Sequence, residues 1–375
     1  WCCSFAPGAY WALKKRWRGC NMPGSGYFKT SYFDDMRLVD TPLRLFWVMV
    51  LCLGLILFPF FSSSYYIHLI NLALINAIVA LGLNILTGRA GVISLGHAGI
   101  FAAGSYAVAI LGMQQNVPFL LVLPATVAVG AIFGLVMGLP SLRLRALYIV
   151  LGTMAMHYIL VYIGKKYQSL AGYHWGISIP DPSIGPFVLN STIKWYPVLI
   201  IIVWLATIFC INLLRSRVGR AWTAIGDRDF VALALGIHVG YYKILAFVFA
   251  SALVALGGGL SAYYTHFVTA ETYTISLGLT FVAMILIGGL GSITGSFLGA
   301  LFVIILPYAL SGIFEILPLP LIFEARRASI ELILFGFFII LFLIVEPKGL
   351  AGIWKMIRDY FVLWPFRYRR SVITR

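Results

Sequence analysis

The sequence predicts an all-α fold: a polytopic transmembrane helical bundle of about 10 membrane segments, within a range of 8–10, with both termini cytoplasmic. Three observations predict it. Of 375 residues, 61% are hydrophobic and 10% are charged, whereas a soluble domain carries about 25% charged residues. Mean hydropathy is +0.97. Lysine and arginine total 27 against 12 acidic residues, for a net charge of +15, and they are segregated along the chain.

A helix needs about 20 apolar residues to cross the hydrocarbon core, with a range of roughly 17–25. Residues 45–61 are the first such run. Residues 66–86 are the second and carry His68, Asn71, Asn76 and Asn84. The third, 91–112, opens on a glycine-rich stretch. Uninterrupted apolar runs give the fourth at 118–139, the fifth at 146–164, the sixth at 195–214 and the seventh at 244–265. Residues 272–314 hold 43 residues without a charge. At about 1.5 Å per residue that is too long for one crossing and fits two. The break between the eighth and ninth is expected at Gly288-Gly-Leu-Gly-Ser-Ile-Thr-Gly295. The tenth, 329–345, is short, with Glu331 and Glu346 at its two ends, where they can snorkel to the interfaces.

Charge tests this count. With a cytoplasmic N-terminus and ten alternating spans, the outside loops hold Lys165, Lys166, Lys194, Arg326 and Arg327, and the remaining 22 of the 27 basic residues lie inside. Cytoplasmic loops of membrane proteins carry such an excess. The basic balance therefore reflects topology, and nucleic-acid binding is not expected, since no basic soluble domain exists to carry it. An eight- or nine-span version with 91–112 re-entrant is the variant.

The expected organisation is a non-native or disordered extension at 1–21, a cytoplasmic segment at 22–44, a transmembrane domain at 45–345, and a basic cytoplasmic tail at 346–375. Met22 is the first possible start, and 1–21 are set aside. Two long loops are expected, periplasmic 165–194 with Tyr173, His174 and Trp175, and cytoplasmic 215–243. The five cysteines form neither a disulfide framework nor a metal-ligand spacing. No metal site and no catalytic residue is expected. Membrane-embedded acid pairs, His-Glu-x-x-His and Gly-x-Ser-x-Gly are all missing, which argues against an intramembrane enzyme.

Two segments interrupt the hydrophobic pattern. Thr87-Gly-Arg-Ala-Gly-Val-Ile-Ser-Leu-Gly-His-Ala-Gly99 places glycine, Arg89 and His97 inside an apolar region. Irregular polar backbone at membrane depth is tolerated where it lines a cavity or packs on protein. Thr87, Gly88, Gly91, Ser94, Gly96 and His97 are accordingly the candidate translocation path. Leucine at Gly91 or Gly96 is expected to block uptake while the complex still assembles. For His97, a bond to a neighbouring carbonyl is the plainer expectation than a proton relay, and His157 is read the same way.

The second segment is Gly219 to Ile237. Asp227 and Asp229 suit a helix start, where the dipole favours negative charge. Phe230, Val231, Leu233, Ala234 and Ile237 give an apolar face at helical spacing, and Gly236 suits a helix stop. A single short helix is expected over Arg220 to Ile237. Such a helix either fills a groove on a partner or lies on the lipid surface, and spacing leaves both open.

The segment resembles the cytoplasmic coupling loop of ABC transporter permeases, which typically reads Glu-Ala-Ala, three residues, then Gly. Asp229 stands near the Glu position, Ala232 at an Ala position and Gly236 at the Gly. More specifically, the chain resembles the LivM-type permeases of branched-chain amino acid ABC importers, a family that includes urea- and amide-transporting relatives. The resemblance is carried by Gly82-Leu-Asn-Ile-Leu-Thr-Gly88, Ser94-Leu-Gly-His-Ala98, Arg143-Leu-Arg-Ala-Leu-Tyr148, the coupling segment, Ile287-Gly-Gly-Leu-Gly-Ser-Ile-Thr-Gly295 and Glu346-Pro-Lys-Gly-Leu-Ala-Gly352. It runs from about Lys29 to Phe366.

That resemblance implies a permease subunit in the bacterial inner membrane. Its partners would be a LivH-like second permease, two ABC ATPase subunits (LivG- and LivF-like) and a periplasmic substrate-binding protein. Arg220, Asp227, Asp229, Phe230, Ala232, Leu233, Gly236 and Ile237 would carry ATPase coupling. No cofactor is expected in this chain, with ATP-Mg held by the partner subunits; no Gly-x-x-x-x-Gly-Lys-Ser/Thr loop occurs here. There are departures. Where the family often has Thr-Gly-Gly, this chain has Ala171-Gly-Tyr-His-Trp-Gly-Ile177, and Tyr158 stands where a Glu is common. The substrate, a branched-chain amino acid, urea, an amide or another small acid, stays open. The alternative is an ATP-independent channel or secondary transporter, although no acid lies near the middle of any span to couple protons.

Overall fold

Hydrocarbon offers no hydrogen-bond partners, so a spanning chain must satisfy its backbone within helices or a closed barrel, and long unbroken apolar runs suit helices. The computed structural model describes residues 61–114, 117–142, 146–184, 187–316 and 349–363, with scattered positions at 54–59 and 330–344. Contacts divide the chain into two units, Gly54–Gly352 and a second made of Trp1–Leu53 with Ile353–Arg375. The architecture below is that of the first. The expected extension at 1–21, the segment 22–44, most of the first and tenth spans, Arg143-Leu-Arg145, Glu331, Glu346 and the end of the tail lie outside the described residues.

Helix α1 (Ser64–Leu83) runs on into a π-helical turn, Asn84–Arg89. After an irregular stretch come α2 (His97–Val108), a second π turn (Ala109–Gln114), α3 (Phe119–Ser141) and α4 (Ala146–Leu170). Three two-residue strands follow, β1 (Ile177–Ser178), β2 (Ser183–Ile184) and β3 (Phe187–Val188). Then come α5 (Thr192–Arg215), α6 (Arg217–Asp227), α7 (Asp229–Ala234), α8 (Val239–Thr265) and β4 (Phe267–Val268). The described chain closes with α9 (Ile275–Gly288), α10 (Ile293–Ile316) and α11 (Gly349–Leu363).

Among the described residues, six helices are long and apolar enough to cross a membrane: Ser64–Arg89, Phe119–Pro140, Tyr148–Leu170, Thr192–Arg215, Val239–Thr265 and Ile293–Gly312. They coincide with expected spans two, four, five, six, seven and nine. The third and eighth correspond to shorter apolar helices, His97–Gly112 and Ile275–Gly288. The long uncharged run does divide, and it divides inside the expected glycine cluster: α9 stops at Gly288 and α10 starts at Ile293. Gly289 and Gly291 take φ of +111° and +74°, a region that residues with a Cβ rarely occupy.

Two expected boundaries move. The third span opens six residues late, at His97, because Gly91 takes φ of +69° and the chain is irregular as far as Leu95. The fifth runs on to Leu170, so Lys165 and Lys166 lie on exposed helix rather than in a loop. Their aliphatic stems suit a helix end that leaves the apolar layer.

Helix α8 runs through the centre, packed against α1, α2 and α3. Its Ala246, Phe247, Ala250, Val254 and Ala255 are fully buried. Lipid tails are as apolar as leucine, so helices associate in a bilayer by close backbone packing and hydrogen bonds. Between α2 and α8 the approach is backbone to backbone. A Cβ on Gly104 would collide with the Ala255 carbonyl, and one on Gly258 with the Phe101 carbonyl. The Ser105 hydroxyl donates to the Gly258 carbonyl at 2.8 Å.

At one end of the bundle β1 pairs antiparallel with β4, Ile177 opposite Val268, and β2 pairs with β3. Gln168 joins this end to the helices, its Oε1 accepting from the Tyr106 hydroxyl at 3.1 Å and from the Ala270 amide at 3.3 Å. Trp175 is 92% exposed there.

Candidate functional site

At the other end, the two segments that interrupt the hydrophobic pattern meet. The connection from α5 to α8 is not one helix but two. Ser216 caps α6, its hydroxyl accepting from the amides of Val218 and Gly219. Arg228 then breaks the chain in an extended conformation, φ −158° and ψ 110°, and α7 follows. Asp227 therefore ends α6, where the dipole opposes a negative charge, rather than starting a helix. Asp229 does lie in the first turn of α7, and its carboxylate pairs with Lys243 of α8. Arg220 is exposed, its guanidinium donating to the Arg215 carbonyl at 3.0 Å.

Gly236 ends α7 as the sequence suggests. Its φ is +81°, its amide donates to Leu233 and the Ile237 amide to Ala232, both at 3.0 Å. These two bonds are a Schellman motif. A side chain at Gly236 would meet no steric block, since no atom lies within 4 Å of a Cβ built there. A side chain at 236 is opposed instead by the left-handed backbone, by about 1–2 kcal/mol.

One side of α6–α7 is bound to the bundle. Trp222 is fully buried, donates from Nε1 to the Tyr242 carbonyl at 2.7 Å and meets Phe249 edge-on. Ile225, Ala232 and Val239 form a small buried cluster, with Ile237 packed against it. Ala232 and Ile237 are thus internal. The opposite side is apolar and uncovered: Phe230 is 82% exposed, Leu235 73% and Leu233 57%.

The glycine-rich break is seated directly on α6. A Cβ on Gly226 would collide with the Arg89 carbonyl, and one on Gly91 would lie 3.2 Å from the Gly226 Cα. No side chain separates the two backbones. The π turn ends with the Ala90 amide on the Ile85 carbonyl and the Val92 amide on Leu86, both at 3.1 Å. The Thr87 hydroxyl closes the loop on the Val92 carbonyl at 3.2 Å.

The same π turn also holds the second break. Asn84, buried, accepts from the Gly291 amide at 2.7 Å. Its Nδ2 donates to the Ser292 carbonyl at 2.7 Å and to the Ser296 hydroxyl at 2.8 Å. Gly88 must lack a side chain, because a Cβ there would collide with the Asn84 Oδ1 and the Gly291 amide. Gly349 of α11 presses on the same break; a Cβ on it would lie 2.5 Å from the Gly289 nitrogen.

Further along, the Ser94 hydroxyl lies 2.8 Å from the His97 Nδ1. His97 is buried, stacks on Phe247 at 6.3 Å, and is bound by this hydroxyl rather than by the carbonyl expected. Gly96 is fitted to α4, since a Cβ on it would collide with the Thr153 carbonyl. The His157 of α4 lies across from Gly99, and its buried Nδ1 has no hydrogen-bond partner among the described residues, so the carbonyl bond expected there is not made by that atom.

Of the six path candidates, Gly88 and Gly91 stand in the junction, Thr87 braces it, Gly96 seats α2 on α4, and Ser94 and His97 bond each other beside Phe247 of α8. The irregular stretch packs against α6 at the end of the bundle. Asn84, Trp222, Gly226 and Ser296 also build this site, and none of them is among the residues expected to be functional from sequence. Asn84 carried a signal, an amide inside an apolar span that must find partners once buried. Among the described residues no group of three His, Cys, Asp or Glu could hold a metal ion.

A family model described as the branched-chain amino acid transport system / permease component matches residues 65–343. The chain is similar to the high-affinity branched-chain amino acid transport system permease protein LivM of Escherichia coli (strain K12). The two are 28% identical over 286 residues, 70% of this chain and 67% of that protein. It is similar to a probable branched-chain amino acid transport permease protein LivM of Methanocaldococcus jannaschii, 27% identical over 59% of this chain and 64% of that protein. The high-affinity permease protein LivH of Escherichia coli (strain K12) is 25% identical over 74% of this chain and 91% of its own length. The chain thus spans about two thirds of the length of these LivM relatives. No solved structure gives a significant match.

Proposed function

Because the chain belongs to the branched-chain amino acid transport system permease component family, we propose that it is the LivM-like permease subunit of an ABC importer. It is a multi-pass membrane protein and a transporter subunit, not an enzyme. With a LivH-like second permease it forms the route for a branched-chain amino acid or a related small polar solute. Two ATPase subunits bind ATP-Mg and drive it, and a periplasmic binding protein delivers the solute. The observation that carries the coupling part of this reading is the uncovered apolar side of α7, which is held to the bundle through α6, Ala232 and the Asp229–Lys243 pair. A helix so presented suits a groove on a partner.

Thr87, Gly88, Gly91, Ser94, Gly96 and His97 support the route at its cytoplasmic end. Arg220, Asp227, Asp229, Phe230, Ala232, Leu233, Gly236 and Ile237 divide the coupling role: Phe230 and Leu233 touch the ATPase, while Ala232, Gly236 and Ile237 shape the helix pair. The test is uptake by proteoliposomes holding both permeases and both ATPases, with binding protein outside. Uptake of branched-chain amino acids should require ATP inside. Uptake at the same rate without ATP would establish the channel or secondary-transporter alternative.

The proposed topology is ten membrane segments in the bacterial inner membrane, with both termini cytoplasmic. It places Trp175 outside and Arg228 inside, in accord with the charge bias. A membrane-impermeant thiol reagent applied to intact cells should label a cysteine at Trp175 and miss one at Arg228. Labelling at Arg228 would overturn the orientation.

A further inference from the structure

Three backbones meet in the junction: the C-terminal end of α6, the π turn at the end of α1, and the break between α9 and α10. Gly88 lies directly against Gly291, where a Cβ on Gly88 would collide with the Gly291 amide, and two further contacts flank this one. Gly226 touches the Arg89–Gly91 backbone with no side chain between. Asn84 binds the second break through three hydrogen bonds of 2.7–2.8 Å. Packed interiors do not compress, so a displacement of α6 must displace residues 89–91. Buried polar groups do not tolerate loss of their partners, so a displacement of the π turn must draw Gly291–Ser296 with it.

We propose that Asn84 is a positioning residue for coupling: it passes movement of α6 from the first helix break to the second, so that α1 and the α9–α10 pair shift as one body. The proposal rests on the reading of α6–α7 as the ATPase docking element. Asn84 lies away from the docking face and acts through Gly291, Ser292 and Ser296. Gly226 is the input of the relay and Asn84 its output. The side chain fits this role because an asparagine amide offers an acceptor oxygen and two N–H donors, and the oxygen and both donors are engaged here.

The experiment uses the four-subunit complex in proteoliposomes with binding protein, and reads solute moved per ATP hydrolysed. Asn84→Asp keeps an acceptor for the Gly291 amide and removes at least one of the two donors, whichever protonation state the buried carboxyl takes. It should leave ATPase subunits bound at wild-type stoichiometry and ATP hydrolysis largely intact, while uptake per ATP falls about tenfold, within the usual range of coupling between sites. Ser296→Ala removes one of the three Asn84 bonds, together with the bond the Ser296 hydroxyl donates to the Ser292 carbonyl, and adds no bulk; it should lower the ratio by a smaller factor. Gly226→Ala should lower it too, and the Gly226→Ala, Asn84→Asp double variant should be no worse than the stronger single, because the two act in series.

A purely structural role predicts otherwise: hydrolysis and uptake fall together, or subunits are lost, with the ratio unchanged. An unchanged ratio in Asn84→Asp overturns the proposal. If that variant fails to assemble, the ratio of Ser296→Ala decides, and a wild-type value overturns it. A wild-type complex that moves solute without ATP defeats the docking reading beneath it, an outcome separate from wild-type coupling with insensitive variants.

Discussion

Aspartate at both Phe230 and Leu233 should strip the ATPase subunits from the purified permease while leaving the permease itself folded. Both side chains point away from the bundle, at 82% and 57% exposure, so their loss removes no internal packing. On a docked partner each would bury an apolar group contributing about 1.5–3 kcal/mol, and anchors of this kind dominate interface energy. Losing both should weaken docking by about 4 kcal/mol, roughly a thousandfold. Co-purification yield and ATP-driven uptake measure the loss. If α7 merely lay on lipid, the ATPases would be recovered at wild-type yield and uptake would persist, and the docking reading would fail.

Leucine at Gly96 should destabilise the fold itself. Helices α2 and α4 meet here without side chains: a Cβ on Gly96 would collide with the Thr153 carbonyl, and one on Gly99 would lie 2.8 Å from the His157 Cα. The Leu95 amide also reaches the Thr153 hydroxyl at 3.3 Å. Backbone cannot rotate aside as a side chain can, so the helices must separate, at about 3 kcal/mol or more. This revises the expectation that Gly96→Leu blocks uptake in a complex that still assembles. Gly312→Leu is the control, since nothing lies within 4 Å of a Cβ there, and it should not lower stability, because leucine is the better helix former. Thermal unfolding of the solubilised chain reads both. Equal melting temperatures would show that the α2–α4 contact has slack the geometry denies.

The helical class, the long spans and the interruption near Gly289 were legible in the sequence, because each depends on local composition. Length and hydropathy decide whether a segment suits hydrocarbon. Glycine at 236, 289 and 291 marks places where the chain needs positive φ. The family was legible as well, through motifs in a fixed order, and the match over 65–343 agrees with it.

Other features depend on partners far away in sequence. Whether α6 and α7 are one helix or two turns on Arg228 adopting an extended conformation between the Trp222–Tyr242 bond and the Asp229–Lys243 pair. Helical spacing alone could not report that. The late start of α2 follows from Gly91 lying on Gly226, a contact across more than a hundred residues. Asn84 could be recognised as a buried amide in need of partners, but not as the link to Gly291, Ser292 and Ser296. Sequence by itself determined what each segment is suited to be, since apolar length, glycine and charge act locally. Only the tertiary structure decided which segments touch, because backbone contact between glycines and the hydrogen bonds of a buried amide exist only once distant parts of the chain are packed together.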